Sequence, residues 1–156
     1  MTEINFYCAS KDVNLFLYNF LDQLVYKNGK KVLLYSNSLE KLKKLDEILW
    51  EIGREGTDFL AHGLYSDKNS QCKYEKLLLC NKLINFNQAD YLFLSNFVDD
   101  CNFLNHFEKI FYIYTNCSEK NLLQARKSLE EYQDLDYKTT INVRDRDSKW
   151  TKVLEI

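Results

Sequence analysis

The chain has 156 residues, of which 46% are hydrophobic and 28% are charged, and its net charge is −2. This length suits one domain with an ordinary buried core, and the composition argues against intrinsic disorder. The slightly negative charge gives no long-range attraction to a phosphate backbone, so direct nucleic-acid binding is not favoured.

The cysteines and the N-terminus indicate a reduced, cytoplasmic setting. Five cysteines form no CxxC pair and cannot all be bridged, which is typical of reduced thiols. No apolar run approaches the roughly 20 residues of a membrane span. Glu3 also places an acid where a secretory signal needs positive charge.

The first elements alternate a strand and a helix. Residues 4–7 are predicted as a strand and residues 13–26 as a helix with Asp12 as its N-cap. Asn28-Gly29 should end this helix, because glycine accepts the left-handed conformation. The side chains expected to be buried are Val13, Phe16, Leu17, Phe20 and Leu24.

Trp50 departs from the pattern of the next helix. The apolar run at 31–35 predicts a buried parallel strand. Asn37 with Glu40 resembles a capping box and predicts the start of a helix over 39–50. Trp50 lies off the apolar stripe of that helix and is followed in the chain by Phe59, a pattern expected of a protein contact surface. The alternative is that the last turn tucks Trp50 beneath the loop. The stripe is Leu42, Leu45, Ile48 and Leu49.

The second half continues the alternation after a loop over 51–75. Its predicted elements are strands at 76–80, 91–94 and 110–114, a short helix at 103–107, a helix from the Ser118 cap to about residue 133, and a final edge strand at 137–143. The order predicts one three-layer α/β domain over 1–143, Rossmann-like, with a mostly parallel sheet and helices on both faces. The charged segment 144–156 is predicted as a loosely held tail.

A Rossmann-like order first suggests a nucleotide enzyme, but the phosphate-binding glycines are missing. The turn over 8–12 contains none, and the chain's four glycines form neither GxGxxG nor a Walker A loop. His62 and His106 belong to no triad motif and are expected to be structural or exposed. Cys72, Cys80 and His62 are too irregularly spaced for a metal site. We therefore predict no catalytic residue, no cofactor and no metal.

Arg126 is the most suggestive charged residue. It lies inside the last helix beside an apolar face that includes Leu129 and Tyr132. A guanidinium fork beside an apolar shelf suits a peptide that ends in a hydrophobic residue with a free carboxylate. The alternative is an i, i+4 ion pair with Glu130, worth about 0.3 kcal/mol.

Several segments resemble, in order, the chi subunit family of bacterial DNA polymerase III. The central match is LDEILW at 45–50 followed by FLAHGL at 59–64. The strand NFY at 5–7, GKKV at 29–32 and ARKSLEEY at 125–132 occupy the matching places, so the resemblance covers residues 4–143.

The resemblance implies a non-enzymatic clamp-loader subunit that reaches DNA only indirectly. Trp50 and Phe59 would bind the psi subunit or a functional substitute such as a helicase. The last helix would bind the acidic C-terminal tail of single-stranded DNA-binding protein. The residues of this chain that would contact that tail are Arg126, Lys127, Leu129 and Tyr132.

The chain also departs from the family pattern. Leu129 replaces a tyrosine, Glu130 replaces a lysine, and Ala61 replaces a proline in a slightly longer loop. Two other functions stay open on the sequence: a nucleotide-dependent enzyme with an unusual loop, and a direct single-strand binder that uses the 15% aromatic content for stacking.

Overall fold

The computed structural model describes residues 2–9, 11–56, 59–114, 119–144 and 150–155, the last segment and residue 121 by backbone only. Its strands are β1 (Glu3–Cys8), β2 (Val32–Tyr35), β3 (Gly63–Leu64), β4 (Leu77–Cys80), β5 (Tyr91–Leu94), β6 (Lys109–Tyr114), β7 (Lys138–Arg144) and β8 (Trp150–Glu155). Its helices are α1 (Val13–Asp22), α2 (Leu39–Glu55), α3 (Cys101–Leu104) and α4 (Glu119–Asp134), with a π-helical turn at Gln23–Lys27 and a 3₁₀ helix at Ser70–Tyr74.

The strands form one sheet in the order β3-β4-β2-β5-β6-β1-β7-β8. β1 to β7 run parallel and β8 pairs antiparallel with β7. Every residue of β2, β4 and β5 is buried, as expected of parallel strands covered on both faces. The predicted Rossmann-like α/β fold is confirmed.

The sheet separates two apolar cores. On one face, side chains such as Phe6 and Tyr112 pack with Leu129 and Tyr132 of α4 and with residues of α3. On the other face, strand side chains pack with α1 and α2. The two pairs of helices therefore lie on opposite sides of the sheet.

The first helix differs from its predicted pattern in two respects. Asp12 has a φ of 50° and makes no side-chain capping bond, so its prediction as N-cap is wrong. Of the predicted core side chains only Leu24 is fully buried, while Leu21 and Tyr18 are buried as well. Tyr18 can be buried because its hydroxyl accepts a hydrogen bond from Leu60 N. The predicted helix end is confirmed, since Gly29 has a φ of 66°.

The second helix starts at Leu39, as predicted, but its cap residue and its end differ from the prediction. Ser38, not Asn37, is the N-cap, and its Oγ accepts a hydrogen bond from Lys41 N at 3.3 Å. The helix continues to Glu55, five positions beyond the predicted end at Trp50. Its last turns therefore occupy the start of the predicted loop over 51–75.

The C-terminal elements also correct the sequence prediction. α3 begins at Cys101, capped by Asp100, rather than at residue 103. β7 lies between β1 and β8, so it is not an edge strand. Residues 150–155 of the predicted loose tail form β8, because their backbone groups complete the hydrogen bonding of β7. The predicted cap Ser118 falls outside the described residues.

Two buried tyrosine hydroxyls attach α4 to the sheet. Tyr132 Oη donates to Val98 O at 2.8 Å, and it lies 2.5 Å from Tyr112 Oη. Tyr112 Oη also lies 3.1 Å from Asn96 O. Burial raises the pKa of Tyr132 to about 12, and it raises the pKa of Tyr112 in the same direction.

These tyrosines predict a loss of stability in alkali. Because the pKa of Tyr132 is higher in the folded state than in the unfolded chain, its contribution to stability is fully present below pH about 10. This contribution is lost as the pH rises from about 10 toward about 12. Tyr132→Phe should lower the free energy of unfolding by about 1–3 kcal/mol at neutral pH and reduce its alkaline decline. Urea titrations from pH 7 to 11 measure both, with the exposed Tyr74→Phe as control. An unchanged alkaline slope in Tyr132→Phe would contradict this role.

Candidate partner-binding surfaces

The first surface, called here the aromatic surface, consists of Trp50 on α2 and Phe59 in the loop after it. The two ring centroids are 4.9 Å apart. Trp50 is 37% exposed and Phe59 is 47% exposed, so neither ring is sealed in the core. The loop covers one side of Trp50 and leaves the rest in solvent, which combines the two arrangements that the sequence left open.

The loop packs against α2 at a buried helical glycine, Gly53. A Cβ added to Gly53 would lie 3.5 Å from Phe59 Cδ2 and 3.4 Å from Tyr18 Oη. These are ordinary van der Waals distances, so alanine would fit there, whereas the outer atoms of a larger side chain would meet Phe59 or Tyr18. Phe59 thus lies against the helix at Gly53, beside Trp50.

His62 holds the same loop from beneath. Its side chain is fully buried, with Nδ1 2.7 Å from Leu60 O and Nε2 3.2 Å from Asp46 Oδ1. Its ring centroid is 5.1 Å from that of Trp50. These contacts join the loop to α2, which agrees with the structural role expected for this histidine.

Charged side chains surround the aromatic surface. Glu47, Glu51 and Arg54 line a shallow depression together with Trp50. All three are exposed on α2. The Trp50 ring therefore has charged neighbours on α2, as aromatic residues at protein interfaces often do.

The second predicted surface is only partly exposed. Arg126 and Lys127 face solvent on α4. Leu129 is 2% exposed and Tyr132 is 0% exposed, because the helical period turns them toward β1 and β6. The four residues predicted to bind the tail therefore do not form one accessible pocket. The apolar side chains expected beside Arg126 instead lie beneath the helix, in the core.

A different apolar side chain accompanies the cations. Leu123 is 70% exposed and lines an open depression with Lys120, Arg126 and Lys127. We call these four residues the basic surface. Sequence reasoning missed Leu123, although a leucine on the polar side of an amphipathic helix is the same signal that singled out Trp50.

Acidic side chains lie next to the basic surface, and Glu130 lines the same depression. Lys127 Nζ lies 4.0 Å from Glu131 Oε1, a long contact on an exposed helix. No ion pair involves Arg126 among the residues that the structure describes, so the predicted alternative of an Arg126–Glu130 pair is not formed there. The guanidinium remains accessible to a carboxylate.

The carboxyl ends of the strands, where related folds bind nucleotides, are occupied by apolar side chains. A cavity of about 190 Å³ lies there between α1 and α2, with Leu17, Leu34, Phe93 and Ile113 in its wall. This is below the roughly 300 Å³ at which small-molecule sites begin. Within the described ranges no three His, Cys, Asp or Glu side chains are grouped to bind a metal, and no helix is long and apolar enough to cross a membrane.

Comparisons with known proteins identify a family and a fold. The family described as "DNA polymerase III chi subunit, HolC" matches residues 1–140. A search of curated proteins finds no match. Among solved structures, the chain is similar to the C-terminal domain of S. cerevisiae Dbp5 L327V, bound in that structure to Gle1 H337R and IP6. The TM-score is 0.51 at 12% identity, over 94% of this chain and 93% of that one. At this identity the likeness concerns the fold alone.

Two leucines on α4 lie in opposite environments, because Leu129 is buried in the core and Leu123 is exposed. Leu129→Ala should lower the free energy of unfolding by about 2–5 kcal/mol, because it leaves a cavity under the helix. Leu123→Ala should change it by no more than about 0.5 kcal/mol. Chemical denaturation of both variants measures the difference. Equal effects would contradict the assignment of Leu129 to the core.

Proposed function

The chain belongs to the DNA polymerase III chi subunit family, and from this premise we propose that it is a non-catalytic adaptor of the clamp loader in the cytoplasm. It would link the replicative polymerase to DNA that is coated with single-stranded DNA-binding protein. It would bind two proteins and touch DNA only through them, in keeping with its net charge of −2.

The observation that carries this proposal is the placement of the two surfaces. The aromatic surface belongs to the α1–α2 side of the sheet and the basic surface to the α3–α4 side. The sheet and both cores lie between them. Two partners can therefore be bound at the same time without competing for space, as an adaptor requires.

The aromatic surface is suited to the psi subunit or a functional substitute. Exposed aromatic rings within a polar rim are the residues that most often dominate binding energy. Trp50 and Phe59 contact each other before any partner arrives, so little side-chain freedom is lost on binding.

The basic surface is suited to the acidic C-terminal tail of single-stranded DNA-binding protein. Arg126 offers a planar fork to a terminal carboxylate, and Lys120 and Lys127 are exposed nearby for acidic side chains. Leu123 supplies apolar contact for a hydrophobic tail residue. Leu129 and Tyr132 support the helix from the core and would act on the tail indirectly.

Arg126→Ala should weaken binding of a peptide with the last residues of the cognate single-stranded DNA-binding protein by about 1.5–3 kcal/mol, the worth of a hydrogen bond to a charged group. Isothermal titration calorimetry measures this. Arg54→Ala is the matched control, because it also removes an exposed arginine, but one that lies beside Trp50 on α2. Equal affinity of Arg126→Ala and wild type would remove Arg126 from the tail site.

Trp50→Ala should abolish co-purification with the psi subunit or its substitute and leave tail-peptide affinity unchanged. The reason is that truncating a central aromatic side chain costs at least about 2 kcal/mol at an interface. Circular dichroism checks that the variant is folded. Loss of both interactions in a folded Trp50→Ala protein would contradict the two-surface arrangement.

A further inference from the structure

Two tyrosine hydroxyls bind consecutive amides of the loop that carries Phe59. Tyr18 Oη accepts a hydrogen bond from Leu60 N at 3.1 Å. Tyr26 Oη accepts one from Ala61 N at 3.1 Å. Neither amide belongs to a helix or a sheet ladder, so these hydroxyls supply the partners that the loop backbone needs.

The π-helical turn explains why both tyrosines reach the same loop. In a continuous α-helix, Tyr26 would lie about 80° around the axis from Tyr18. The helix instead changes to a π-helical turn at Gln23–Lys27, which contains Tyr26. Its i→i+5 hydrogen bonding places more residues in each turn, so Tyr26 rotates back toward the side of Tyr18.

The two hydrogen bonds lie next to the exposed ring of the aromatic surface. Phe59 directly precedes Leu60, and its ring rests against Trp50. On the other side, His62 Nδ1 bonds Leu60 O and its Nε2 faces Asp46 on α2. Residues 60–62 are therefore fixed to α1, to the π-helical turn and to α2, which leaves Phe59 little freedom of direction.

We propose that Tyr18 and Tyr26 are positioning residues of the aromatic surface, which hold Phe59 beside Trp50 before a partner binds. Where it concerns a partner, this inference rests on the proposed function. Fixing a binding loop in advance improves affinity because less conformational entropy is lost in the complex.

Tyr26 allows the cleaner test of the two. Tyr18 is buried, so its hydroxyl also affects folding. Tyr26 is exposed, and Tyr26→Phe removes only the hydroxyl from a surface ring. The matched control is Tyr74→Phe, the same change on another exposed tyrosine, for which the structure gives no hydroxyl hydrogen bond among the described residues.

The test of positioning is an NMR comparison of wild type, Tyr26→Phe and Tyr74→Phe. In Tyr26→Phe the Ala61 amide should exchange with solvent about tenfold faster, while the Leu60 amide stays protected by Tyr18. Nuclear Overhauser contacts between the Phe59 and Trp50 rings should weaken. Tyr74→Phe should change neither. Unchanged exchange at Ala61 and unchanged ring contacts in Tyr26→Phe would overturn the proposal.

A double-mutant cycle tests whether the hydroxyl acts through Ala61 N. Proline has no N–H, so Ala61→Pro removes the donor and restricts the loop by another route. In a folded Ala61→Pro protein, Tyr26→Phe should no longer change the Phe59–Trp50 contacts. If the effects of Tyr26→Phe and Ala61→Pro on the ring contacts were additive, the Tyr26 hydroxyl would not act through Ala61 N.

The partner experiment separates this inference from the proposed function. Tyr26→Phe should weaken binding of the purified psi subunit, or of the substitute that co-purifies with wild type, by about 3- to 10-fold. If Trp50→Ala leaves that binding intact, the proposed function fails while the NMR result still decides whether Tyr26 positions Phe59. If Trp50→Ala abolishes binding and Tyr26→Phe binds as wild type, the positioning role in recognition is wrong.

Discussion

The constraint on which the structure depends is that a parallel sheet of apolar strands must be covered on both faces. β2, β4 and β5 have no polar side of their own, so helices must exclude water from each face. α1 and α2 do this on one side, and α3 and α4 on the other. The outward sides of α2 and α4 are thereby separated by the whole domain, and the two candidate binding surfaces lie there.

The same fold can support nucleotide chemistry, but the strand ends of this chain differ from a typical phosphate-binding site. The turn after β1 lacks the glycines that let backbone amides approach a phosphate, and the cavity between α1 and α2 is small and apolar. The accessible features are rings and cations on helix exteriors instead. Such features bind proteins through shape, burial and charge, and they need no reactive group.

The loop that carries Phe59 is held by contacts outside the aromatic surface. Phe59 packs against Gly53, His62 joins the loop to Asp46, and the hydroxyls of Tyr18 and Tyr26 accept hydrogen bonds from the amides of Leu60 and Ala61. The family resemblance places proline where this chain has Ala61. Alanine keeps its N–H, and Tyr26 makes use of it.

The sequence by itself determined the fold class, the strands that carry continuous apolar runs, the turn at Gly29, and the position of Trp50 off the apolar stripe of its helix, because each follows from composition or from a local period. Only the tertiary structure decided the burial of Leu129 and Tyr132, the missing cap at Asp12, the strand β8 and the tyrosine contacts of the loop. Those features depend on groups distant along the chain: Tyr132 bonds Val98 and Tyr18 bonds Leu60, 34 and 42 residues away. A local pattern shows which side of a helix is apolar, but the surrounding packing decides how much of that side remains exposed to a partner.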